Sequence, residues 1–317
     1  PGFSKYYTDH YGKSESTPSG YFTSACSPFI YRDVAFPKEY WGHNFSCEPA
    51  QNLIHHSVPT WDGSILNLLK GGEEGKEFLS STDQWFHPMN LSHGPEGAIY
   101  ITDFYREIIE DYSAIPRYLQ QQYGLVNGKQ HGRVWRLTHE EAPDAPIARM
   151  SHLFNTQLAE EIGSPHAWRR ETARRLLIER KAQGINDQIL AHLRDRKGSP
   201  ASAINALYAL RGLGALTREA FEMAFLHEDW SVVKHALIIG DPLPKDTEES
   251  QVVAEWLSEI IHYRNEPRLL LQIALSLGEF QTSGALDALA YMADQHGDIH
   301  WIDTALVSSV YQREEGL

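Results

Sequence analysis

Five helix starts recur through the second half of the chain, and their start-to-start spacings cluster around 30–37 residues. They lie near Ser164-Pro165-His166-Ala167-Trp168, Ser199-Pro200-Ala201, Glu228-Asp229-Trp230, Asn265-Glu266-Pro267 and Asp298-Ile299-His300. Each carries a Ser, Asp or Asn whose oxygen can accept from the free N–H groups of a first turn, and in three of the five a Pro sits near that turn. Apolar residues follow at helical spacing, as in Ala173, Leu176 and Leu177, or Leu270, Ile273, Ala274 and Leu277. Second helices intervene, for example through Ile185, Ile189, Leu190 and Leu193. A helix pair of this size cannot bury its apolar face alone. Successive pairs must stack, which predicts a paired-helix solenoid over residues 147–317.

The first half has a different grammar. Most of the Gly, Pro, Tyr and Phe lie there, between short β-branched or aromatic runs such as Ala98-Ile99-Tyr100-Ile101-Thr102 and Arg133-Val134-Trp135-Arg136-Leu137. The change falls at Ala142-Pro143-Asp144-Ala145-Pro146, taken as the domain boundary. Setting His43–Ile54 over Ala98–Ile109 aligns Phe45 with Tyr100, Glu48 with Asp103, and Leu53-Ile54 with Ile108-Ile109. A strand–acidic turn–strand unit repeating every 50–60 residues predicts blades of a β-propeller over residues 1–146. The expected architecture is therefore a partial β-propeller, its last blades, followed by an α-α solenoid. The start at Pro1 without Met reads as an excised or processed piece.

Charge narrows the partners. With Lys+Arg 28 against Asp+Glu 42, the formal net charge of −14 repels phosphate backbones and anionic lipid, so neither nucleic acid nor a membrane surface is expected as a partner. No apolar run reaches the length of a membrane span. The two cysteines, Cys26 and Cys47, cannot make a structural zinc site by themselves. They read either as buried free thiols or as one disulfide across neighbouring strands. His55 and His56 are adjacent and on a strand would face opposite ways, so the 16 histidines give no metal site. Gly94-Pro95-Glu96-Gly97 lacks the Lys-Ser/Thr and the following helix of a phosphate loop, and reads as a hairpin turn.

Several stretches resemble a known family. They include Phe22-Thr23-Ser24-Ala25-Cys26-Ser27-Pro28, Phe45-Ser46-Cys47-Glu48-Pro49-Ala50-Gln51-Asn52-Leu53-Ile54, Trp85-Phe86-His87-Pro88-Met89-Asn90-Leu91, Gly94 through Arg106, and His131-Gly132-Arg133-Val134-Trp135-Arg136-Leu137. Together they are similar to large secreted dehydrogenase-like proteins of planctomycetes and verrucomicrobia, themselves similar to sorbosone or glucose dehydrogenases that use pyrroloquinoline quinone (PQQ). In that family the propeller is followed by HEAT-like repeats and often by a c-type haem domain. The resemblance implies a HEAT-type solenoid, a periplasmic or secreted location, and a Cys26–Cys47 disulfide. PQQ and haem c become cofactors of the full-length family rather than of this chain. The partners it implies are missing blades or a haem domain of the same polypeptide; a protein partner on the solenoid is suggested separately by its acidic faces and exposed aromatics. Two departures stand out: His87 occupies the place of the family's usual Arg, and no haem motif is present.

If the repeat alignment holds, Glu48, His87, Asp103, Tyr105 and Arg106 gather at one mouth, where they would hold a cation or an anionic cofactor. The competing reading is structural. Glu48 and Asp103 then cap turns, and Arg106 pairs with one of them. No catalytic residue is identified. Trp168, Trp230 and Trp301 serve either as core between helices or as a partner groove. Two functions follow: a non-catalytic portion of a quinone-dependent dehydrogenase, or a protein-binding scaffold.

Overall fold

The alternation of β7 (Ile99–Asp103) governs the β-rich half. Ile99, Ile101 and Asp103 are buried on one face, while Tyr100 and Thr102 point the other way. The structure, a computed structural model, describes residues 22–109, 115–122, 124–142, 149–241, 248–280 and 282–311. The chain divides into two units. One comprises Pro1–Thr60, Leu68–Ile147 and His166–Trp168; the other comprises Trp61–Asn67, Ala148–Pro165 and Arg169–Leu317. Residues 143–148, where the change of grammar falls, lie outside the described residues.

The strands form two open antiparallel sheets, all in the first unit except the Trp61–Asn67 tip of one hairpin. The larger runs β1 (Cys26–Ile30), β2 (Asn44–Glu48), β3 (Leu53–Asp62), β4 (Ile65–Lys70), with β5 (Leu79–Ser80) also pairing with β3. The smaller is β6 (Pro88–His93), β7, β8 (Arg133–Leu137). Phe29, Tyr31, Phe45, Cys47 and Ile54 from the first sheet share one core with Leu91, Ile99 and Ile101 from the second. Fully burying an aromatic or large aliphatic side chain contributes about 1.5–3 kcal/mol, so this shared core is the main stabilising element of the unit.

This arrangement overturns the expected propeller blades. A blade is a four-stranded sheet repeated around an axis, whereas here sheets of five and three strands remain open and close over a common core. The apparent repeat was half real. Glu48 and Asp103 do end equivalent middle strands, but Leu53-Ile54 begin β3 while Ile108-Ile109 belong to no strand. The strand that follows β7 in the chain and pairs with it, β8, begins only at Arg133.

The second unit is built from helices, with eleven α-helices in the described chain as a whole. The short α1 (Arg117–Gln120) lies in the first unit. The rest are α2 (Asn155–Glu161), α3 (Ala167–Glu179), α4 (Asn186–Arg194), α5 (Pro200–Leu213), α6 (Arg218–Phe225), α7 (Trp230–Gly240), α8 (Glu248–Ile260), α9 (Pro267–Leu277), α10 (Ser283–His296) and α11 (Ile302–Ser309). Helices α5, α7, α9 and α11 pack side by side in one layer, and α2, α4, α6, α8 and α10 in the other. Their starts follow local chemistry. Ser199, Asp229 and Glu266 each accept a backbone N–H of the first turn, from Ser202, Ser231 and Arg268. Helix α11 differs: Trp301 at φ 69° precedes it and no side chain caps it. Among the described residues no helix is long and apolar enough to cross a membrane.

Candidate functional site

Because Ile99 and Ile101 face the core, Asp103 must face inward too, and its side chain is fully buried. A buried carboxylate needs donors, and the fold supplies them from three places. Oδ1 accepts the backbone N–H of His87 and of Tyr105, each at 3.0 Å. Oδ2 accepts the Trp135 indole N–H at 3.1 Å and faces the Arg133 guanidinium at 3.7 Å. Arg133 also lies over the Tyr105 ring, 3.9 Å from its centroid. Tyr105 itself has a left-handed backbone, at φ 45°.

His87 is buried beside Asp103. Its Nδ1 lies 2.7 Å from the Pro49 carbonyl and its Nε2 lies 2.9 Å from the Arg106 carbonyl. A neutral ring can donate to one of these oxygens; only the protonated ring can donate to both. Burial holds the His87 pKa below the ordinary range, against the pull of the two carbonyls, Asp103 and Asp83. Arg106 is turned back on its own loop: Nη1 donates to the carbonyls of Phe104 and Tyr105, and the guanidinium lies 4.3 Å from the Phe104 ring centroid. Glu48, also buried, turns away from this cluster and accepts the Ser24 N–H on both oxygens, at 3.2 and 3.1 Å. Burial raises its pKa above the usual carboxylate range.

The fold thus brings His87, Asp103, Tyr105 and Arg106 together, with the Glu48–Pro49 corner joined to them through the Pro49 carbonyl. The arrangement ties three chain segments to one another. It does not fit an anionic quinone, because the one cation among the five, Arg106, is folded onto its own carbonyls and a ring. Asn52 went unnoticed in the sequence. It sits at φ 58°, and its amide donates to the carbonyls of Phe86, at 2.6 Å, and Gln84, at 3.1 Å. An Asn between a Pro-led turn and an apolar run was the available signal, since Asn tolerates the left-handed region. Arg133 and Trp135, which complete the Asp103 cluster, were visible only as strand residues.

The expected Cys26–Cys47 disulfide is not formed. The two residues are register partners across β1 and β2, yet both are free thiols. A bulge separates Cys26 from Phe29, and the Cys26 thiol donates to the Met89 carbonyl at 3.5 Å. Burial pushes the Cys47 thiol up to about 12 and raises Cys26 as well, with Glu48 adding to the latter. At pH 8 only about one Cys47 in ten thousand is then thiolate, the reactive form. Native protein is expected to react with Ellman's reagent far more slowly than protein in guanidinium, where both thiols should titrate at once. Two fast thiols in the native state would contradict the buried pair.

His55 and His56 point apart, as adjacent strand residues must. His55 meets Glu77 at 2.7 Å, and His56 meets His43 at 3.0 Å while stacking on Phe45. Burial, with help from His43, His55 and Lys70, holds His56 at about 4. Its folded pKa lies below the unfolded value of about 6.5, so the unfolded chain binds the proton first as pH falls. Stability from His56 is complete above about pH 6.5 and is lost toward pH 4, by at most about 3 kcal/mol. His56→Phe, which keeps the stacking, is expected to flatten the fall in melting temperature between pH 7 and pH 4.5. An unchanged slope would exclude His56 as a contributor.

Residues 4–141, less than half of the chain, match a family described as a domain of unknown function, DUF7133. No curated protein and no solved structure matches the chain. Among the described residues, no group of three or more His, Cys, Asp or Glu side chains could hold a metal ion.

Proposed function

We propose that this chain is a binding scaffold without chemistry of its own, with its helical unit presenting the surface a protein partner engages. The observation that supports the reading is the engagement of the candidate site. Both oxygens of Asp103, both ring nitrogens of His87 and the Nη1 of Arg106 are directed at groups of the chain's own loops. A catalytic or cofactor-binding centre needs polar groups aimed at a ligand instead. Stacked helices offer an extended surface suited to protein recognition.

The second reading is a portion of a periplasmic or secreted quinone-dependent dehydrogenase. Its support is the sequence resemblance of Gly94 through Arg106 and His131 through Leu137. One assay separates the two. The full chain is mixed with PQQ, a panel of sugars and alcohols, and an electron-accepting dye. The scaffold reading expects no reduction above the protein-free blank. Turnover that disappears in Arg106→Ala would overturn it in favour of the dehydrogenase.

A further inference from the structure

In the helical unit, a line of contacts runs from α3 across α5 to α7. The Arg174 guanidinium on α3 lies 5.8 Å from the centroid of the Tyr208 ring on α5. The Tyr208 hydroxyl meets His235 Nδ1 on α7 at 3.1 Å. The neighbouring Lys234 ammonium lies 6.0 Å from the Trp230 ring. Trp230 in turn closes a stack, with the Arg268 guanidinium 4.1 Å from its ring centroid and 4.8 Å from that of Trp61.

Among the described residues of this unit, Arg169, Arg175, Arg194, Lys197, Arg218 and Arg268 form ion pairs with carboxylates, whereas Arg174 and Lys234, like Arg180, Lys181, Arg196, Arg211 and Arg264, form none. Lys234 is half-buried, and both its burial and the charge of Arg268 work against its protonated form. Keeping a partly desolvated cation beside another cation is costly, and a ligand carboxylate would remove that cost. We propose that Arg174, Tyr208, His235 and Lys234 form a docking stripe for an extended acidic peptide of a partner protein, with the Trp61–Arg268–Trp230 stack as its end wall.

Spacing and charge favour a peptide. Packed helices lie about 8–10 Å apart, so Arg174 and Lys234, two helices removed, are separated by roughly 20 Å. An extended chain rises about 3.3 Å per residue, so carboxylates about six residues apart reach both cations while Tyr208 and His235 offer polar and aromatic contact between them. A dense polyanion meets the repulsion of the whole chain, at −14, whereas a peptide with a few carboxylates meets much less.

This proposal rests on the scaffold reading and names its partner class. The test uses the full chain and a short fluorescein-labelled peptide of repeated Glu-Gly-Ser triplets, followed by anisotropy, with a Gln-Gly-Ser peptide as control. The Glu peptide is expected to bind, and the Gln peptide at least about tenfold more weakly. Arg174→Gln and Lys234→Gln are each expected to weaken binding by about threefold to tenfold, and Lys197→Gln to leave it unchanged. Thermal melts followed by circular dichroism establish that each variant folds. Should Lys234→Gln not fold, Arg174→Gln with Lys234→Arg, which restores the charge, carries the test. Equal binding of both peptides, no binding of either, indifference to both substitutions, or tighter binding of heparin or an oligonucleotide would each overturn the proposal. Failure here without dye reduction leaves the scaffold reading standing; dye reduction removes that reading whatever the peptide does.

Discussion

Replacing Asp103 with alanine is expected to destabilise the β-rich unit by about 3–5 kcal/mol, the range for breaking a buried, hydrogen-bonded charge. The substitution leaves the buried backbone N–H of His87 and the partly buried one of Tyr105 without their acceptor, and strips Arg133 of its carboxylate. The released donors belong to two loops that have no strand pairing at those positions, so little else can satisfy them. A fall of that size lowers the melting temperature by roughly 10 °C in a domain of this size. Asp103→Asn separates charge from geometry. Its amide oxygen can still accept both backbone N–H groups, but its NH2 then meets the Trp135 indole N–H, donor against donor. An intermediate loss is therefore expected. Chemical denaturation followed by Trp fluorescence checks both variants, and an alanine variant within about 1 kcal/mol of the parent would show that Asp103 is not the tie described.

Gly97→Ala is expected to cost about 3–4 kcal/mol, from two sources that add. The backbone at Gly97 has φ 85°, where an L-residue with a Cβ is strained by about 1–2 kcal/mol. The new methyl would also lie 2.6 Å from the Ala35 Cβ and 2.9 Å from the Asp33 Cγ, besides pressing on Asp33 Oδ1. Asp33 cannot withdraw easily. Its carboxylate accepts the N–H of Val34 at 2.8 Å and of Ala167 at 2.7 Å, and meets His166 Nδ1 at 2.9 Å. Gly42→Ala isolates the backbone contribution: Gly42 has φ 77° and no atom near its would-be Cβ. Measured in the same denaturation experiment, Gly97→Ala should exceed Gly42→Ala by about 2 kcal/mol. Equal losses would mean that Asp33 yields, and that the turn is held only by its dihedral preference.

Glu96 illustrates how neighbouring residues of one turn take different roles. It accepts from the Tyr100 hydroxyl at 3.0 Å and pairs with Arg136 across the sheet. Burial opposes its charge, while Arg136, its own backbone N–H and Tyr100 together hold its carboxyl below the ordinary range. The turn that sequence alone reduced to a hairpin thus fixes two carboxylates at once, Glu96 by pairing and Asp33 by close approach of Gly97.

What the residues determined by themselves was local. Ser199 and Asp229 cap helices because an acceptor two or three residues before a free N–H can reach it whatever the rest of the chain does; at the fourth start the cap is Glu266 rather than the expected Asn265. Val232, Val233, Ala236 and Leu237 are buried because their helical spacing leaves one apolar face to cover. The alternation of Ile99, Ile101 and Asp103 was likewise readable, and with it the burial of a carboxylate. Only the tertiary structure decided which groups meet that carboxylate, since His87 immediately precedes β6 and Trp135 lies on β8, the strands paired on either side of β7. It also decided that the two sheets close over one core instead of repeating as blades, because a matching strand–turn motif carries no information about which later strand will pair with it. The line from Arg174 through Tyr208 to Lys234 was equally invisible. Its members are separated by whole helices, and they come together only because stacked helices place corresponding turns side by side.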